Sequence, residues 1–390
     1  MNSLEQSCSD ILTKNMGYQD QSTYLLYDTE SPLAKVLSDA WINVLSEIKN
    51  KENTIREFKN PPQPLYRGGL INPDNPHLKE QNRIVTSHNI EENKRVGLDH
   101  HEALKVELNE ENIDPQVELL KNELISLPKG SIVILVQSTN FRLSTFRIRL
   151  ELFHRGIHVV EFNHLAYIPE KEFSTFTSSL SYNTPEYVRL QDLVGSYVTS
   201  AQNTRVQSVN GDIITFGPLE KIRGNTGDYS QVENKGGTFP IGEIFTEAKD
   251  LASLNGKCLV EAYPNEDFSV AHGIEPFLLT IENGRVLPSN NFPPGFAKLY
   301  NWIVQFEGEV MVRELGMGIN PHITSVSPLS DINFHERKTG VHLSLGKKHG
   351  IYGKKLPKTE IQRFHIDVFI ALDKVYIGDE LIFDNGKIAI

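Results

Sequence analysis

Apolar positions first fall into register at residue 31. In "SPLAKVLSDAWINVLSEIKNK", Leu33, Val36, Leu37, Ala40, Trp41, Val44, Leu45 and Ile48 share one stripe at helical spacing. Ser31 can cap this helix and Pro32 suits its first turn. The pattern then dissolves. Residues 51–112 are polar, rich in Asn, Glu, Lys and Pro, with turn signals in "NPPQP" and "NPDNP". A new rhythm begins near residue 113. Asp114-Pro115 opens a helix carrying Val117, Leu120, Leu124 and Leu127, and "SIVILVQ" (131–137) reads as a buried strand. Leu143, Phe146, Leu150 and Phe153 predict a helix that stops at Gly156, and "HVVEFN" (158–163) predicts the next strand. Strand, helix, strand in this order predicts a parallel α/β layer. Thr184-Pro185 starts a further helix with Tyr187, Leu190, Val194 and Tyr197.

After about residue 203 the period shortens to that of strands. Asn210-Gly211, Asn283-Gly284 and Asp384-Asn385-Gly386 are hairpin signals, and one helix, about 295–310, interrupts the run. The expected fold class is therefore α/β. An N-terminal α/β domain with parallel strands is followed by a mixed, β-rich α/β domain. The expected divisions are 1–112, a polar extension with one amphipathic helix; 113–235, the α/β domain; and 236–390, the β-rich domain.

Length and charge narrow this picture. The 390 residues suggest two or three domains. A formal net charge of −11 argues against a broad nucleic-acid footprint, which needs clustered Lys and Arg. The two cysteines, Cys8 and Cys258, make no disulfide framework and fit reduced thiols. "MNSLEQSCSDILTKNMGYQD" lacks a basic region followed by an apolar one, and no stretch is long and apolar enough to span a bilayer. The expectation is a cytoplasmic protein with neither a membrane segment nor a nucleic-acid partner.

The β-rich region concentrates residues able to ligate metals. His342 lies in "TGVHLSLG", and His365 and Asp367 lie two apart in "FHIDVFIALD". Residues i and i+2 of a strand face the same way, so that imidazole and carboxylate are presented together. Glu314 opens "ELGMGINP", where the glycines imply a sharp turn or close approach of the backbone. Glu243 sits among apolar residues in "FPIGEIFT", a costly place for a carboxylate unless it is paired or bound to a cation. Each also has a structural reading: a His–Asp hydrogen bond, a turn cap, a carboxylate at a helix start. Together, two imidazoles and three carboxylates could hold two divalent ions about 3.5–4 Å apart. His88, His100 and His101 have no companions at ligand spacing and read as surface histidines.

These segments resemble, in order over about 113–390, the metallo-aminopeptidases typified by aminopeptidase T and aminopeptidase S. "PIGEIFTEAKDLASLNGKCLVEA", "LLTIENGRV", "ELGMGINP", "HERKTGVHLSLG" and "HIDVFI" with "VYIGDELIFDNGKI" each match a family segment. The resemblance implies that Glu243, Glu314, His342, His365 and Asp367 ligate two metals, drawn from zinc, cobalt and manganese. It also implies a homodimer and a peptide or other small-molecule substrate. The family has a tyrosine seven residues after the first histidine ligand. His349 stands there in this chain and Tyr352 three residues later, which makes both candidates for the catalytic acid or oxyanion-stabilising role. Residues 1–112 have no counterpart in the resemblance.

Three functions compete at this point. The first is a metal-dependent aminopeptidase that uses a two-metal-activated water. The second follows a further resemblance of the fold, to 2,5-dihydroxypyridine dioxygenases. There a single iron(II) held by His342, His365 and Asp367 would serve ring cleavage of a small aromatic. Glu314 separates the two, because only a second metal needs it. The third is a non-catalytic binding or scaffold protein, which loss of ligands would favour.

Overall fold

The structure, a computed structural model, describes residues 3–48, 53–58, 115–138, 142–143, 146–230, 232–265, 269–347, 352 and 364–390. They divide into two units. The first takes the described residues up to Ser181 together with Gly227–Pro240; the second takes Tyr182–Thr226 and Ile241–Ile390. The expected α/β class is observed, with a parallel sheet in the first unit and a large antiparallel sheet in the second.

The first unit is built on five parallel strands in the order Gly236–Thr238, His158–Phe162, Ile132–Val136, Thr23–Tyr27, Thr54–Glu57. Ile132–Val136 is buried at every position, as its unbroken apolar run requires. One face packs Tyr24, Leu26, Val133, Leu135 and Val159 against Leu120, Leu124, Leu152 and Phe153 of two helices, Pro115–Ile125 and Ile148–His154. The helix Pro32–Glu47 starts as the sequence implies, with the Ala34 N–H donating to the Ser31 hydroxyl. It buries Leu33, Leu37, Ala40, Trp41, Val44 and Leu45, with Trp41 tilted against Phe162, whereas Val36 is exposed.

Three features differ from what the sequence leads one to expect. The chain's start is not a separate extension, because Thr23–Tyr27 lies inside the parallel sheet and pairs with Ile132–Val136 on one side and Thr54–Glu57 on the other. Residues 59–112, with His88, His100 and His101, lie outside the described residues. The helix expected from Leu143 begins only at Ile148; Arg142–Leu143 and Phe146–Arg147 pair as a short antiparallel hairpin instead. The expected boundary between 235 and 236 is also displaced. The helix Thr184–Ser200 belongs to the second unit, and Gly227–Pro240 supplies the edge strand of the first.

In the second unit, four consecutive neighbours of the antiparallel sheet matter most. They are Glu243–Thr246, Val312–Gly318, Gly340–Leu345 and Ile366–Ile370. Asn283-Gly284 and Asn385-Gly386 both adopt positive φ between paired strands, as hairpin turns of this kind require. The expected helix spans Pro294–Glu307 and is stopped by Gly308 at φ 80°.

Candidate metal centre

Register carries the chemistry onto one face. Glu314 lies opposite Ser344, and Ser344 opposite Asp367, so these three form one cross-strand row. Two residues along, Gly316 lies opposite His342 and His342 opposite Phe369. Glu243 enters from the next strand, opposite Gly318. His365 stands one residue before its strand, with Nε2 3.5 Å from Asp367 Oδ1.

The glycines of "ELGMGINP" now have a reason. A Cβ on Gly316 would lie 2.0 Å from His342 Nε2, so the imidazole occupies the space above a residue that must lack a side chain. A Cβ on Gly318 would lie 2.0 Å from the Lys338 carbonyl oxygen. Both are the close backbone approaches that the sequence implied.

Among the described residues, two sets of three side chains bring ligand-type atoms within 4.8 Å of one another. One is Glu243, Glu314 and His342; the other is Glu314, His365 and Asp367. All five residues singled out in the sequence are therefore gathered, and Glu314 is common to both sets. His342 groups with the two glutamates rather than with His365 and Asp367, so the trio considered for a single iron is divided between the sets.

The electrostatics favour a cation here. His342 is buried, and its Nε2 lies 3.2 Å from Glu243 Oε1 and 3.7 Å from Glu314 Oε1. That nitrogen has no hydrogen-bond partner of good geometry among the described residues. Burial disfavours the imidazolium, but Glu243, Glu314 and Asp367 outweigh it and push the His342 pKa up to about 10. Two like charges about 4 Å apart cost roughly 4 kcal/mol at an effective dielectric near 20. Three clustered carboxylates are thus an expensive arrangement that divalent cations would relieve. The donor set of carboxylate oxygens and imidazole nitrogens suits zinc, cobalt, manganese or iron.

Surrounding residues that sequence reasoning missed hold this set in place. The Ser344 hydroxyl donates to Glu314 Oε1 at 3.2 Å and also lies in short contact with Asp367 Oδ1. Arg337 Nη1 is 3.4 Å from Glu243 Oε2 and is ion-paired with Glu336. Ser344 was legible as the i+2 neighbour of His342; the placing of Arg337 was not, since it lies outside any strand. Tyr352 donates its hydroxyl to the Lys221 carbonyl at 2.6 Å. Burial, opposed by the charge of Arg223 and aided by those of Glu314, Glu247 and Glu220, raises its pKa well above the usual phenol range, so it stays protonated. His349, the other candidate at this position, lies outside the described residues.

The class this defines is a two-unit α/β protein with a five-residue, metal-competent cluster on an antiparallel sheet. Solved structures of the same fold exist. The 2,5-dihydroxypyridine dioxygenase of Pseudomonas putida KT2440 matches with a TM-score of 0.57 and 14% identity, over 99% of this chain and 96% of that one. Wild-type AmpT of Thermus thermophilus, an aminopeptidase, matches with a TM-score of 0.57 and 11% identity, over 100% and 99%. At such identities the likeness is one of fold. Both neighbours are enzymes, of two different reaction classes. No family model and no curated protein sequence matches the chain. No described helix is long and apolar enough to cross a membrane.

Proposed function

We propose that the protein is a metal-dependent hydrolase of the aminopeptidase type, removing the N-terminal residue of a peptide. The observation that supports this most is the sharing of Glu314 by both three-residue sets, so that one carboxylate would serve two neighbouring cation sites. Glu243 and His342 would complete one side, and His365 and Asp367 the other. Held by these residues, a pair of divalent cations would supply an activated water and polarise the carbonyl under attack. The chain's own part is positional. Ser344 orients Glu314 and Asp367, Arg337 orients Glu243, and Gly316 leaves room for the His342 ring. Tyr352, kept protonated, is a hydrogen-bond donor for the developing oxyanion once it exchanges the Lys221 carbonyl for substrate. A peptide substrate, a homodimer and a cytoplasmic location belong to this reading.

The second reading, ring cleavage by a single iron(II), draws on the likeness to the dihydroxypyridine dioxygenase. The division of His342 from His365 and Asp367 weighs against it. Elemental analysis of protein purified without oxygen or chelator separates the two. About two zinc, cobalt or manganese ions per chain, with hydrolysis of amino-acid amides and short peptides, is the expected outcome. One iron per chain, with oxygen uptake on adding a dihydroxypyridine, would replace the hydrolase by the dioxygenase. No metal, and none taken up on addition, would sink both.

A further inference from the structure

Glu307 is the last residue of the helix Pro294–Glu307, and it is buried. A carboxylate there faces the negative end of the helix dipole, an unfavourable position that needs compensation. The compensation comes from two main-chain donors distant in sequence. The Lys347 N–H donates to Glu307 Oε2 at 2.6 Å and the Phe364 N–H to Oε1 at 2.7 Å. Both oxygens act as acceptors, as only a carboxylate allows.

These two donors are not arbitrary places. Lys347 lies just beyond the strand that carries His342, and Phe364 immediately precedes His365. Three further contacts fix the same points. The Phe306 ring packs on Phe364 at 6.0 Å between centroids. A Cβ on Gly346 would lie 2.2 Å from the Phe364 carbonyl oxygen, so the two backbones meet closely. Arg313, the neighbour of Glu314, donates to the Lys347 carbonyl at 2.8 Å and is itself paired with buried Glu247 at 3.0 Å. Lys347 is thus held through its N–H by Glu307 and through its carbonyl by Arg313.

We infer that Glu307 is a positioning residue for the metal centre: by joining the main chain at Lys347 to that at Phe364, it sets where His365 stands relative to Asp367 and Glu314. The inference rests on the metal-centre reading above.

The test titrates cation-depleted protein with Mn²⁺ alone and follows binding by calorimetry. Glu307→Gln replaces one acceptor oxygen by an NH₂ group, which opposes a main-chain donor. The wild type should take about two ions. E307Q should keep one at unchanged affinity and bind the other about 10–100-fold more weakly, as loss of an outer support does. In a His365→Ala background the same substitution should change nothing more, because the residue through which it acts is gone. An E307Q protein with wild-type titration, or an effect that adds to that of H365A, would overturn the proposal and leave Glu307 as packing support only. If E307Q does not fold, Glu307→Asp keeps the charge but shortens the reach; it should weaken the same ion, and wild-type binding by it would overturn the proposal. If H365A itself keeps both ions at wild-type affinity, the metal-centre reading fails as well, and the two failures are told apart.

Discussion

At the residue scale the cluster was legible because its members declare themselves by chemistry and by period. His365 and Asp367, and His342 with Ser344, are spaced for one face of a strand, and the structure puts all four at the same place. Replacing His365 or Asp367 by Ala should remove one ion per chain and abolish activity, while the far-ultraviolet spectrum stays that of the folded protein. Full metal content in either variant would make the pair structural. Gly316 makes a sharper prediction, because its role is only space. Gly316→Ala should push the His342 ring aside and weaken binding by about 10–100-fold, the scale of an outer support. Metal titration with Mn²⁺ reads this directly, and unchanged affinity would show that the ring has room to move. His335 predicts a pH effect. It is buried, its Nδ1 donates to the Leu329 carbonyl at 2.8 Å, and its ring packs edge-on against Phe369. Burial first, then Lys338 and the nearby His272 and His342, lower its pKa to about 3. The unfolded chain binds that proton near pH 6.5 and the native one does not until about pH 3, so stability is lost as pH falls through this window. His335→Asn should flatten the acid side of the unfolding profile by about 1.4 kcal/mol per pH unit, measured by urea denaturation between those limits.

At the element scale, the parts that could be read were those whose partners are near in sequence. The helix Pro32–Glu47 announces itself by its cap and stripe, and the turns at Asn283-Gly284 and Asn385-Gly386 by residues that tolerate positive φ. Thr23–Tyr27 went unread because "TYLLY" is too short for periodicity to separate strand from helix, and its partner Ile132–Val136 is distant along the chain. The strip around Leu143–Phe153 satisfied a helical spacing over residues that in fact divide between a hairpin and a helix. Buried charge networks were equally hidden, since nothing local pairs Arg313 with Glu247. That pair allows a stability prediction. Both side chains are fully buried, so Arg313→Met takes the guanidinium away from a buried carboxylate and should cost about 3–5 kcal/mol in denaturant unfolding. The double change with Glu247→Leu should recover much of that loss, because the buried carboxylate is then gone as well.

At the scale of the whole molecule, the division into two units separates what a cation should stabilise from what it should not. Every residue of the cluster comes from the second unit, four of them on strands that are neighbours in one sheet and His365 immediately before the last of these. The first unit contributes none of them, and its parallel sheet is held by apolar faces around Ile132–Val136. A ligand that binds only the native state stabilises it by about 2.7 kcal/mol at a hundred times its dissociation constant. Chelation should therefore remove stability of this order from the antiparallel sheet and leave the parallel one nearly unchanged. Amide hydrogen exchange can localise the loss. Protection should fall on Ile366–Ile370 and Gly340–Leu345 when the cations are withdrawn, and persist on Ile132–Val136 and His158–Phe162. Equal loss in both sheets would mean that the two units unfold as one cooperative body. No change in either would mean that the carboxylates are balanced by protons and by Arg337 rather than by bound cations, which would leave the cluster without its proposed chemistry.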